Sequence, residues 1–175
     1  LILRKVINKK RSVIYGKSVE FIGMPKLSRR LLLSIKFNLL AEAGATVIYS
    51  IQAKLVKNKK LKEKLQRFSK EERSHMNELN KIIIKYGSRP LPLEKITKVL
   101  CSIFSLVSAI GSQQTILRTD MYLERIGIDT YRRQKELMLG SVDNETIEKY
   151  DMFIQMEEGH LRWLTEWKEK RLHNH

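Results

Sequence analysis

LKEKLQRFSKEERSHMNELNKIIIKY, residues 61–86, decides the fold. Leu61, Leu65, Phe68, Glu72, His75, Leu79, Ile82 and Tyr86 recur at alternating steps of four and three. That spacing is one inward-facing stripe of an amphipathic helix. Its two polar positions are Glu72 and His75, adjacent on one face at i, i+3. A buried carboxylate or imidazole without a partner is costly. Their place on an apolar stripe therefore needs a chemical reason.

The same arrangement returns near the C-terminus. Tyr150, Phe153, Glu157, His160, Leu164 and Trp167 form a second stripe with a second Glu-x-x-His. Upstream of each motif a single glutamate lies on its own apolar stripe. Glu42 runs with Ile35, Leu39, Thr46 and Tyr49, and Glu124 with Leu117, Met121, Ile128 and Tyr131. From Glu42 to Glu72 is 30 residues and from Glu124 to Glu157 is 33. Each interval is one helix, a short turn and a return to the same depth. The chain thus reads as a weak internal repeat of two antiparallel hairpins.

On four packed helices, Glu42, Glu72, His75, Glu124, Glu157 and His160 form a cage for two iron or manganese ions. Four carboxylates match the charge of two divalent metals, and two neutral imidazoles complete the set. Oxygen and imidazole donors suit Fe(II) or Mn(II), and the absence of thiolates disfavours Cu(I). The register is unique: three residues after Glu71 stands Ser74, and three after Glu158 stands Leu161. The bland alternatives are a polar core network and a degenerate, metal-free site.

Helix ends follow from local signals. Ser28 caps a helix running to about Asn58, and Lys57-Asn58-Lys59-Lys60 marks a turn. Gly87-Ser88-Arg89-Pro90-Leu91-Pro92 stops the second helix after Tyr86. Helical pattern resumes near Leu93, breaks around Gly111-Ser112 and runs to Leu139, before Gly140-Ser141. Asp143 or Asn144 caps a last helix reaching Leu172. The expected fold is all-α: a ferritin-like four-helix core with additional helices over residues 27–175, preceded by a basic arm over residues 1–26.

Thirty-four Lys and Arg oppose 19 Asp and Glu, a net charge of +15. Residues 1–30 hold nine basic side chains and one acidic, Glu20, for a balance of +8. Basic surplus attracts anionic partners. The arm mixes that charge with Leu, Ile, Val, Phe and Met, which suits a membrane surface; nucleic acid is the weaker expectation. A solvated arm and the remnant of a mitochondrial targeting segment fit the same composition. Val99–Ile110 is the most apolar run, but a bilayer span takes about 20 residues. It is expected to be a buried helix or one lying in the membrane interface.

Cys101 is the sole cysteine, so no internal disulfide and no Cys-x-x-Cys metal site can form. Asp120, one turn before Glu124, is expected to be a helix-surface acid rather than a spare ligand or an outer partner of a ligand. Gly44, Gly127 and Gly159 each fall within three residues of a proposed ligand and suggest close helix approach or room for substrate. His173 and His175 read as tail residues.

At these residues the chain resembles the demethoxyubiquinone hydroxylase family, a branch of the ferritin-like superfamily. Ala41-Glu42-Ala43-Gly44-Ala45, with Ile48-Tyr49 and Gln52, is similar to the family's first ligand segment. Glu72-Arg73-Ser74-His75 with Asn77-Glu78-Leu79 is similar to the second, Glu124 with Tyr131 and Gln134 to the third, and Glu157-Glu158-Gly159-His160 to the fourth. The 49 residues from His75 to Glu124 separate this family from shorter ferritin-like chains. Departures occur at Ala43, Asn38-Leu39, Thr130 and Phe104-Ser105-Leu106-Val107-Ser108-Ala109, and leave the six ligands in place.

The resemblance implies a diiron monooxygenase of ubiquinone biosynthesis. Its cofactor is two Fe ions, its substrates a polyprenyl methoxy-benzoquinol and dioxygen, and its electron donor either NADH or the quinol itself. It implies a peripheral place on the inner membrane, at the mitochondrial matrix face or the bacterial cytoplasmic face. In eukaryotes such enzymes act with a lipid-binding partner protein. Tyr131, one helical repeat after Glu124, is the candidate for electron or proton transfer, with packing the equal alternative. Rival functions are a ferritin-like or rubrerythrin-like iron or peroxide handler and a basic helical binding module with a lapsed site. The basic surface argues against mineral storage, and the missing paired Cys-x-x-Cys against a rubredoxin module.

Overall fold

A computed structural model describes residues 27–172, which fold into five helices without strands. These are α1 (Arg29–Leu55), α2 (Lys59–Lys85), α3 (Glu94–Gly111), α4 (Gln113–Met138) and α5 (Asn144–Leu172). The chain is an all-α, ferritin-like bundle. The arm expected over residues 1–26, and the tail residues His173 and His175, lie outside the described residues.

The helix ends carry the chemistry that local sequence announced. Ser28 Oγ accepts from Leu31 N at 3.2 Å, and Asp143 Oδ1 from Thr146 N at 2.9 Å. Gly87, at φ 73°, closes α2 in the left-handed region. There Ser88 N donates to Ile83 O and Gly87 N to Ile84 O, the paired bonds of a Schellman cap. One boundary moves. α1 stops at Leu55 rather than Asn58, because Asn58 caps α2, its side chain accepting from Leu61 N at 3.0 Å. Lys59 and Lys60 are therefore helical, not turn residues.

α1 pairs with α2, and α4 with α5, as the two hairpins of the repeat; α3 joins them and lies across α1. Two apolar plugs fill the bundle. One gathers Leu31, Ile35, Leu39, Leu79, Ile83, Tyr131, Tyr150 and Phe153. The other gathers Tyr49, Leu61, Leu65, Phe68, Leu117, Met121 and Leu164. Truncating a buried Leu or Phe of this kind to Ala costs about 2–5 kcal/mol. The polar centre sits between the plugs, so water reaches it from neither end.

α1 is long and apolar enough to cross a membrane, but most of its apolar stretch is buried against the rest of the bundle. Ridges there fit around Gly44, where a Cβ would stand 2.7 Å from Cys101 Sγ and 3.6 Å from Thr97 Cγ2 of α3. That glycine therefore does permit close helix approach. A Cβ on Gly127 would meet Glu157 at an ordinary 3.7 Å, and one on Gly159 would meet nothing, so neither is needed for close approach; Gly127 instead lines a cavity beside the carboxylates. Of the two expectations for Val99–Ile110, a buried helix or an interfacial one, the buried one fails along one face of α3 among the described side chains. Val99, Leu100, Ile103, Phe104 and Leu106 are exposed, continuous with exposed Ile96. Among the described side chains of α3, the Thr97–Cys101–Ser105 side is turned inward, with Ser105 fully buried.

Candidate metal centre

Glu42 from α1, Glu72 and His75 from α2, Glu124 from α4, and Glu157 and His160 from α5 all point into the space between the plugs. None is more than 4% exposed. His75 Nδ1 faces Glu157 Oε1 at 3.1 Å, Glu72 Oε2 at 3.3 Å and Glu42 Oε2 at 3.8 Å. His160 Nδ1 faces Glu72 Oε1 at 3.0 Å, Glu124 Oε1 at 3.5 Å and Glu157 Oε2 at 3.9 Å. The six residues thus make two clusters whose donor atoms lie within 4.8 Å of one another. Glu72 and Glu157 belong to both and present one oxygen to each; Glu42 and Glu124 each belong to one.

The donor set fits divalent cations. His75 Nδ1, His160 Nδ1, Glu72 Oε1 and Glu124 Oε2 are buried and make no well-aligned hydrogen bond. Imidazole nitrogens and carboxylate oxygens converge on two points, and a divalent cation at each would satisfy them.

Protonation follows the same crowding. Burial pushes the His75 imidazole down, but the carboxylates of Glu157, Glu42 and Glu72 outweigh it and drive it up to about 12. Burial likewise opposes His160, and Glu124, Glu71 and Glu72 drive it up to about 12. Burial, then the Glu72 charge, pushes Glu42 up to about 8. Burial, with Glu72 and Glu124, raises Glu157 well above the carboxylate range. Burial would raise Glu72 too, but its contacts with His160 and His75 win and hold it well below that range. Without metal, the imidazoles are cations paired with carboxylates.

An outer layer holds the donors in place. Tyr131 Oη donates to Glu42 Oε1 at 2.7 Å, and Tyr49 Oη donates to Glu124 Oε1. Each tyrosine stands seven residues after one repeat's glutamate and serves the other's. The Tyr131 ring also packs against Tyr150 and Phe153. Sequence reading treated Tyr49 as part of a packing stripe and gave it no polar partner. Glu71 Oε2 stands 2.8 Å from His160 Nε2, and Arg67 Nε holds its other oxygen at 2.7 Å. Sequence reading took Glu71 only as a residue out of register with the histidines; the signal was an acid at the stripe's edge, toward the partner helix.

Asp120 is not a surface acid. It is fully buried, and its Oδ1 accepts from Gln52 Nε2 at 2.8 Å. Burial, only partly offset by Gln52, pushes it up to about 8.

A cavity of about 390 Å³ reaches the centre from the side. Glu42, Glu72, Glu124 and Glu157 form its floor, and its walls include Ala41, Ala45, Ile48 and Leu123. Phe37 and Ile126, both largely exposed, mark its mouth. Buried Asn38, beside it, has an amide nitrogen without a partner.

The family model described as ubiquinone biosynthesis protein COQ7 matches residues 31–174. No curated protein matches the chain.

Proposed function

We propose that this chain, which belongs to the COQ7 family of ubiquinone biosynthesis proteins, is a diiron monooxygenase that hydroxylates a polyprenyl methoxy-benzoquinol ring. Family membership gives it a role in ubiquinone biosynthesis. The finer reading rests on one observation above all: an apolar cavity whose floor is four carboxylates of a buried Glu/His centre. Such a pocket seats a flat apolar ring against the centre, and nothing about mineral storage requires it.

Glu42, Glu72, His75, Glu124, Glu157 and His160 would hold two iron ions. Bound iron supplies the redox chemistry that activates dioxygen. The protein's own contribution is positioning. The Tyr131 and Tyr49 hydroxyls orient Glu42 and Glu124. Glu71 fixes the outer nitrogen of His160 and so turns its inner nitrogen to the centre. The two plugs exclude bulk water, leaving the lateral cavity as the route for substrate. Asn38 and Ser34 in that cavity offer polar contacts to ring oxygens.

A polyprenyl quinol lives in lipid, so the enzyme must meet a membrane surface. The exposed apolar face of α3 lies beside the cavity, whose wall includes Cys101 of that helix. With the net charge of +15 it suits peripheral binding to an anionic bilayer. The proposed site is the inner face of an energy-coupling membrane. NADH and the quinol itself remain the candidate electron donors, and a lipid-binding protein a candidate partner.

The test is incubation of iron-loaded protein with a short-chain methoxy-benzoquinol, reductant and isotopically labelled dioxygen. One labelled oxygen on the ring supports the proposal. Iron loading without ring oxygenation under any of these donors contradicts it.

A further inference from the structure

The pseudo-two-fold relation between the hairpins is kept in most side chains around the centre. Glu42 corresponds to Glu124, Glu72 to Glu157, His75 to His160 and Tyr49 to Tyr131. It is broken at two positions just outside the six. The residue before Glu72 is Glu71, whose Oε2 lies 2.8 Å from His160 Nε2. The residue before Glu157 is Met156, whose Sδ lies 3.3 Å from His75 Nε2. Four residues before Glu124 stands buried Asp120, and four before Glu42 stands buried Asn38. Both extra acids belong to the half built on Glu124 and His160. Both neutral counterparts belong to the half built on Glu42 and His75.

The two imidazoles are therefore prepared differently. A carboxylate that accepts the outer N–H of a histidine fixes its tautomer and makes the inner nitrogen a better donor. Glu71 does this for His160 and is itself steadied by Arg67. A thioether is a weak acceptor, so Met156 leaves the His75 ring without that support. The Glu71 carboxylate also adds negative charge beside that half, which attracts a cation there more strongly.

We propose that the two metal positions are unequal, with the Glu124–His160 position binding a divalent cation first and more tightly than the Glu42–His75 position. The inference rests on the two-metal reading of the centre. Glu71 and Met156 act as positioning residues. Outer partners of this kind change metal affinity by roughly 10–100-fold, and the two dissociation constants should differ by about that factor.

Stepwise titration of the metal-stripped full chain with Mn(II), followed by electron paramagnetic resonance, tests this. The expected result is an isolated-ion signal with the first equivalent and a coupled-pair signal only with the second. Glu71→Met should weaken the first step by roughly 10–100-fold and bring the two steps together. Met156→Glu should strengthen the second step and bring them together at higher affinity. Met156→Leu, which offers no better acceptor, should keep the wild-type separation. Coupled pairs from the first addition, or unchanged steps in folded Glu71→Met and Met156→Glu, would overturn the asymmetry while leaving a two-metal centre standing. Failure to bind Mn(II) at all would overturn both readings.

Discussion

Replacing Asp120 with Asn should stabilise the metal-free protein, and by more at high pH than at low. The buried carboxyl is pushed from 3.8 up to about 8. Its folded value thus lies above its unfolded one. Between the two, the native state keeps a proton that the unfolded chain has released, so stability falls as pH rises through that window. One retained proton corresponds to about 1.4 kcal/mol per pH unit. From pH 5 to pH 8 the wild type should lose about 4 kcal/mol on this account alone. Asn cannot ionise, yet its Oδ1 can still accept from Gln52 Nε2. Other titrating groups are common to both chains and largely cancel in the difference. The assay is urea unfolding of both chains, stripped of metal, at each pH unit. The stability difference should be smallest near pH 4, grow with the stated slope and level off above pH 8. A constant offset added to that slope would report packing only. A flat difference across the whole range would refute the reasoning, because Asp120 would then ionise as an ordinary acid.

Further outcomes follow from other contacts. Gly44→Ala should destabilise by about 1–3 kcal/mol through overpacking against Cys101. Cys101→Ala in the same chain should remove that cost and leave the helix-propensity gain of up to about 1 kcal/mol, which thermal denaturation of the double-mutant cycle would detect. Metal binding should release protons. His75 and His160, driven up to about 12, must lose theirs, so at least two protons per chain should appear at pH 7. Affinity should accordingly rise with pH, and calorimetry in buffers of different protonation enthalpy counts the release; fewer than two would contradict the charge state derived for the cage. Tyr131→Phe removes the donor to Glu42 Oε1 and should weaken iron binding roughly 10–100-fold with the fold retained, as read by chelator competition. Unchanged iron affinity would leave the ring a packing residue only.

What the sequence made legible was whatever repeats locally. Glu72 and His75 stood out because a stripe of Leu, Phe and Ile contradicted them, and the structure brings them together with Glu42, Glu124, Glu157 and His160. Ser28, Gly87 and Asp143 announced helix ends because capping is a matter of neighbouring residues. Asp120 was misread because its partner Gln52 lies 68 residues away on another helix. Glu71 was passed over for the same reason: its partner, His160, lies 89 residues away. α3 was ambiguous because apolar residues surround it, and periodicity alone does not choose which face meets α1. Gly44 and the small inward side of α3 made that choice.

The most direct measurement is iron per chain, on protein expressed with iron and purified without chelator, beside the same measurement on Glu72→Ala. Glu72 offers an oxygen to each cluster, so its loss should empty both positions. The account predicts about two irons in the parent chain and almost none in the folded variant. No iron in the parent chain, or the same iron in both, would contradict it.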